Sequence, residues 1–166
     1  YAGAPTAGTF MPGFFPIFLF VLHAAALAMW QCALPSQRKM VGGVMIATGL
    51  TSFLTGVTEP LEFSFIFVAW PLLLIHALLT GPAFVLVNAL GIHSGFGFSA
   101  GAIDYVLNFG ISQHSIWLIP IGLGYAVIYY SLFRFVITKW NLPTPGRDEN
   151  EEVADATSDA TGNGKR

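Results

Sequence analysis

Apolar residues form four long blocks along the chain, and short stretches of turn-forming and polar residues separate them. The first block covers residues 14–34 and the last covers residues 116–138, so each has about the twenty residues that a membrane-spanning helix needs. A third block, residues 82–110, is apolar but interrupted by glycines, which predicts a span with an irregular middle. The pattern as a whole predicts an all-α polytopic membrane protein.

The remaining block, residues 41–80, is broken in its middle by a polar Thr-Glu-Pro sequence that contains Glu59 and Pro60. Proline lacks a backbone N–H and disfavours helical geometry in the preceding residue, so we expect the backbone to open beside Glu59. Two apolar arms that meet at such a break are typical of a re-entrant helical hairpin, here with its tip near Glu59. The alternative interpretation is one long kinked span.

The positions of the basic residues discriminate between these two topologies. Basic pairs follow the first apolar block, at Arg38 and Lys39, and accompany the last one, at Arg134 and Lys139. The positive-inside rule places both pairs in the cytoplasm, so an even number of crossings must lie between them. The hairpin gives an even number and the kinked span an odd one. The carboxy terminus is therefore predicted to be cytoplasmic.

Composition agrees with a membrane protein over most of the chain. Hydrophobic residues make up 54% and charged residues only 10%, whereas soluble domains carry about a quarter charged residues. Residues 147–166 are instead polar, acidic and free of aromatic residues, which predicts a disordered cytoplasmic tail. Because the chain begins without Met or a basic signal region, we expect it to be a piece of a longer membrane protein.

The polar residues at the break are the candidates for substrate binding. A carboxylate at membrane depth is costly, so it needs a partner or a polar cavity. An ionised carboxylate can accept hydrogen bonds from two hydroxyl groups of a sugar. We therefore expect Thr58, Glu59 and Glu62 to bind substrate. A structural alternative stays open for Glu62, because a carboxylate in the first turn of a helix is stabilised by the helix N-terminus.

Other polar residues indicate structural roles. Asp104 and Asn108 are four residues apart and can hydrogen-bond on one helix face, so we interpret them as a clamp that orders the glycine-rich loop. His23 and His76 are interpreted as helix-packing residues, and Cys32 has no basic or histidine neighbour that would activate it. We expect no metal site, no cofactor and no nucleic-acid partner, because their sequence motifs are absent from the sequence.

Four segments together carry a resemblance to a known family: GTFMPGFFPIFLF, LTSFLTGVTEPLEFSFIFVAW, GFGFSAGAIDYVLNFG and YYSLFRFVITKWNLPTPGR. The chain resembles the carboxy-terminal half of the membrane-embedded enzyme IIC of the bacterial phosphotransferase system (PTS), in the glucose/N-acetylglucosamine branch. The similarity runs from about Gly8 to Arg147. Its most specific motif is Gly-Val-Thr-Glu-Pro-Leu-Glu-Phe, at residues 56–63.

The resemblance implies a permease component of the bacterial cytoplasmic (inner) membrane that binds and translocates N-acetylglucosamine or glucose. It implies a homodimer, surrounded by membrane lipid, in which Glu59 contacts the sugar. A phosphorylated IIB protein or domain would phosphorylate the sugar at its 6-hydroxyl, so no catalytic residue is expected on this chain. Further sugar contacts are expected in the amino-terminal half of the family's sequence.

Two positions depart from the family pattern, since His23 and Trp70 each stand where the family generally has proline. The helix geometry around both positions is therefore open. Two other functions also remain open from the residues alone. One is an ion- or proton-coupled secondary transporter with a broken-helix site, and the other is a structural membrane subunit.

Overall fold

The computed structural model describes residues 8–67 and 69–147, and the regular elements in these ranges are all helical apart from one isolated β-bridge. The tail predicted from residue 147 onward lies outside them except for its first residue. We number the main helices α1 (Met11–Cys32), α2 (Arg38–Thr55), α3 (Glu59–Ile66), α4 (Trp70–Ala89), α5 (Ala102–Asn108) and α6 (Leu118–Trp140). The helices α1, α4 and α6 are long and apolar enough to cross a membrane. The predicted all-α multi-pass fold is therefore confirmed.

Helix α1 lies at the centre of the fold and is the most buried of these three spans. Its small residues Ala25 and Ala28 are fully buried, which allows neighbouring helices to approach closely. A π turn at Ile17–Val21 follows Pro16, which has no N–H for the regular helical ladder. His23 stands in regular α-helix after this turn. The irregularity of this helix therefore precedes His23.

Helices α1 and α6 run parallel and end at the same end of the molecule. Phe20 in the middle of α1 faces Gly122 near the start of α6. Beyond the carboxy ends of both helices, Arg147 Nη1 donates to the Cys32 carbonyl at 2.7 Å. Arg38 also donates to the last turn of α1. Arg134 Nη1 donates to Gln31 Oε1 of the same turn at 3.1 Å. The basic residues Arg38, Arg134 and Arg147 thus lie at the same end of the molecule, which we call the basic end.

Helix α2 leaves the basic end antiparallel to α1, and α3 returns toward it. The side chain of His23 lies against Gly49, with Nε2 2.7 Å from the Gly49 carbonyl oxygen. On α3, Ser64 Oγ is 3.9 Å from Met29 Sδ, close to the end of α1. The chain therefore reverses between α2 and α3.

The helix boundaries after α3 differ from those expected. The second arm was predicted to continue to residue 80, but α3 ends at Ile66, and Ala69 leaves the helical region with φ −137° and ψ 66° before α4 begins. Helix α4 starts with Trp70 and Pro71, where proline needs no hydrogen-bond partner for its nitrogen. It then continues through Pro82 to Ala89. The apolar span expected over residues 82–110 is instead the end of α4, a loop and the short helix α5.

Candidate functional site

The break between α2 and α3 occupies residues 56–58, which we call the tip. Gly56 ends α2 with φ +75°, a left-handed conformation that glycine adopts without strain, and its N–H donates to the Ser52 carbonyl at 2.8 Å. Helix α3 begins at Glu59, so Glu59 itself is helical and the opening expected beside it lies just before it, at residues 56–58. Pro60 is in the first turn of α3, where the missing N–H would have no helical partner anyway.

The three candidate residues lie together but differ in exposure. Thr58 is only 5% exposed, Glu62 is half-buried and Glu59 is exposed. The Thr58 carbonyl accepts the N–H of Glu62 at 2.9 Å, which joins the tip to the first turn of α3. The Glu59 carboxylate makes no hydrogen bond to any residue that the structure describes. Of the two carboxylates in the first turn of α3, Glu59 is therefore the more exposed one.

The glycine-rich loop between α4 and α5 lies directly against the tip. Ser99 Oγ donates to the Gly56 carbonyl at 2.8 Å. The backbones are in close contact, because a β-carbon on Gly56 would lie 2.7 Å from the Gly101 nitrogen. Sequence reasoning did not identify Ser99 or Gly101. The only signal was their small size, which permits close backbone approach.

Asp104 orders this loop, as predicted. Its carboxylate accepts the backbone N–H groups of Gly97 at 2.8 Å, Ser99 at 3.2 Å and Phe98 at 3.4 Å. Asn108 Nδ2 donates to the Asp104 carbonyl at 2.9 Å. Desolvation of the Asp104 carboxylate opposes ionisation, but these N–H donors outweigh it and lower its pKa. The clamp interpretation is therefore confirmed for Asp104, whereas Asn108 bonds the Asp104 backbone within α5 and does not contact the loop.

His23 and His76 pack between helices. His23 bridges α1 and α2 through Gly49, and the His76 ring packs edge-on against Phe65 and Tyr129, with centroids 6.1 and 5.9 Å away. Their predicted packing role is confirmed. Within residues 8–67 and 69–147, no three His, Cys, Asp or Glu side chains lie close enough to hold a metal ion.

Comparisons with known proteins support one family. The family model described as "Phosphotransferase system, EIIC" matches residues 1–81, which include the tip. The chain is 55% identical, over 94% of its length, to the N-acetylglucosamine-specific EIIC component of Streptomyces coelicolor. It is 52% identical over 96% of its length to the glucosamine-specific EIICBA component of Bacillus subtilis, and 51% identical over 92% to the N-acetylglucosamine-specific EIICBA component of Escherichia coli.

The chain covers 38%, 26% and 24% of these three relatives, respectively, so it corresponds to part of each. Within that part the similarity extends over nearly the whole chain, and the fold is helical with apolar spans, as a membrane component requires. The chain belongs to the EIIC family of the phosphotransferase system.

Proposed function

We propose that the protein is the sugar-binding part of a PTS permease that translocates N-acetylglucosamine or glucose and couples this to 6-phosphorylation. The observation that carries the proposal is the exposed Glu59 carboxylate, which directly follows a helix break in an otherwise apolar protein and makes no hydrogen bond to the residues that the structure describes. The high identity to N-acetylglucosamine-specific components favours that sugar. Sugar hydroxyls are donors, and Glu59 supplies the acceptors that they need.

The topology that supports this function is a re-entrant hairpin made of α2 and α3. Helix α2 leaves the basic end and α3 returns toward it, so the pair adds no crossing. Crossings by α4 and α6 then bring the chain back to the basic end, in agreement with the positive-inside rule. The basic end and the carboxy terminus would face the cytoplasm of a bacterium, and the tip would lie within the membrane.

The roles at the tip follow from exposure and hydrogen bonding. Glu59 would contact the sugar directly, and its charge would orient the hydroxyl groups by electrostatic attraction. Thr58 and Glu62 would complete the site, since the Thr58 carbonyl holds the backbone N–H of Glu62 in the same first turn of α3 as Glu59. The phosphoryl group would come from a phosphorylated IIB partner that docks at the cytoplasmic basic end. Some relatives are named EIICBA or EIICB, which indicates that they carry a IIB part in the same protein as EIIC. A homodimer in lipid completes the proposed assembly.

The decisive test replaces Glu59 with Gln in the full-length protein. Loss of a charged hydrogen bond costs about 1.5–3 kcal/mol, so we expect N-acetylglucosamine to bind roughly 10- to 100-fold more weakly. Isothermal titration with N-acetylglucosamine, with glucose as competitor, measures this change and the sugar preference. Glu62→Gln serves as the comparison and should weaken binding less. Wild-type affinity in a folded Glu59→Gln protein would remove Glu59 from the site.

A transport assay separates the PTS function from a proton-coupled transporter. Uptake into vesicles should require phosphorylated IIB and yield a sugar phosphate. Uptake that continues without phosphorylated IIB but stops when the proton gradient is collapsed would contradict the proposal.

A further inference from the structure

The loop between α4 and α5 is fixed to the helical scaffold at points away from the tip. Tyr105 OH donates to the Ser115 carbonyl at 2.9 Å, at the turn that precedes α6. The Tyr105 ring packs edge-on against Phe15 of α1 at 5.5 Å, and Phe96 packs on the same ring of Phe15 at 6.0 Å. Ala100, near the end of the loop, is fully buried. The loop is therefore a fixed surface on which the tip rests.

Asp104 determines where the Ser99 hydroxyl lies. The Asp104 carboxylate accepts the Ser99 N–H, and Ser99 Oγ in turn donates to the Gly56 carbonyl. On the other side of this contact, a β-carbon on Gly101 would lie 2.5 Å from the Gly56 nitrogen, so the two backbones meet without a side chain between them. The carboxylate, the loop and the tip thus form one continuous chain of contacts.

We propose that Ser99, held by Asp104, is a positioning residue for the sugar site. It fixes the peptide group of Gly56, where the chain turns, and Glu59 lies only three residues further on. Binding constellations must be held within about 0.5 Å of the productive geometry, so rotation of the Gly56 peptide would misplace the Glu59 carboxylate. The inference rests on the proposed function, because it takes Glu59 as the sugar contact.

The test uses Ser99→Ala in the full-length protein, with Ser94→Ala as the matched control. Ser94 belongs to the same loop, and its hydroxyl also makes one hydrogen bond, 2.9 Å to Ser112 Oγ, but it does not contact the tip. Removal of one neutral hydrogen bond predicts about fivefold weaker N-acetylglucosamine binding for Ser99→Ala. We expect no change for Ser94→Ala. Asp104→Asn should weaken binding in the same direction.

A double-mutant cycle distinguishes positioning from general stability. If Ser99 acts through Glu59, then Ser99→Ala combined with Glu59→Gln should bind no more weakly than Glu59→Gln alone. Losses that add independently would overturn the proposal, and so would wild-type affinity in Ser99→Ala. If Ser99→Ala is normal while Glu59→Gln is impaired, only the positioning role fails. Normal binding in Glu59→Gln would instead refute the sugar contact itself.

Discussion

Substitution of Gly56 by Ala should destabilise the protein through two separable effects. Gly56 has φ +75°, and an L-residue in this left-handed region costs about 1–2 kcal/mol. The added β-carbon would also lie 2.5 Å from Ser99 Oγ and 2.7 Å from the Gly101 nitrogen. Overpacking of this kind costs typically about 1–3 kcal/mol. The sum is a loss of about 2–5 kcal/mol in the free energy of unfolding.

Gly91 provides a control that isolates the first effect. Its φ is +65°, but a β-carbon there would meet no atom within 4 Å. Gly91→Ala should therefore cost only the conformational term, about 1–2 kcal/mol. The difference between the two variants measures the contact between the tip and the loop.

Denaturant titration of the full-length protein in detergent micelles gives both values, with hydrogen exchange at residues 56–59 as a local readout. We expect Gly56→Ala to be less stable than Gly91→Ala and to exchange faster at the tip. An equal loss of unfolding free energy in the two variants would refute the close contact between Gly56 and the glycine-rich loop. It would also remove the structural basis of the positioning role of Ser99.

Two further predictions concern the scaffold. Because the fold lowers the pKa of Asp104, its stabilising effect is complete above the ordinary aspartate pKa of about 3.9 and is lost as pH falls through the lower folded value. The melting temperatures of the wild type and Asp104→Asn should therefore differ modestly at pH 7 and converge at strongly acid pH; a constant difference would contradict this. Gly42→Ala should displace the Trp30 indole, because the added β-carbon would lie 2.6 Å from the indole nitrogen that donates to the Arg38 carbonyl. Gly43→Ala is the control, since a β-carbon there would have no atom within 4 Å. Tryptophan fluorescence and melting should change in the first variant only, and equal behaviour of the two would contradict the packing of α2 on α1.

The sequence was sufficient for features that depend on local composition. Long apolar blocks predicted α1 and α6, because length and hydropathy alone decide whether a helix can span a membrane. The boundary of α4 was not predictable in this way. The sequence analysis placed a boundary between residues 80 and 82, yet α4 continues through Pro82, because proline is tolerated inside membrane helices, where neighbouring groups satisfy the freed carbonyl. In so apolar a segment, no change of hydrophobic period marks the true helix ends.

In the candidate site, too, only the residues with local sequence signals could be predicted. Glu59 could be selected from its neighbours, since a carboxylate beside a proline in an apolar segment is unusual. The contact of Ser99 with the tip could not be predicted from the sequence. It joins Ser99 to Gly56, 43 positions away, and depends on how the loop packs against Phe15. Asp104 was predicted as a loop clamp because its partners are local, but the function of that clamp appears only with the fold.

The hydrogen bonds of the tip explain why a polar break can exist in so apolar a protein. Non-helical backbone at membrane depth requires partners from the protein. The Gly56 N–H and carbonyl are both satisfied, the Val57 N–H lies 3.2 Å from Thr55 Oγ1, and the Thr58 carbonyl accepts from α3. These four backbone groups are therefore satisfied within the protein. The Glu59 carboxylate has no such partner in the described chain. If Glu59 contacts the sugar as proposed, a polyhydroxylated ligand would supply the donors that offset the cost of the charge, which would couple that charge to sugar binding rather than to folding.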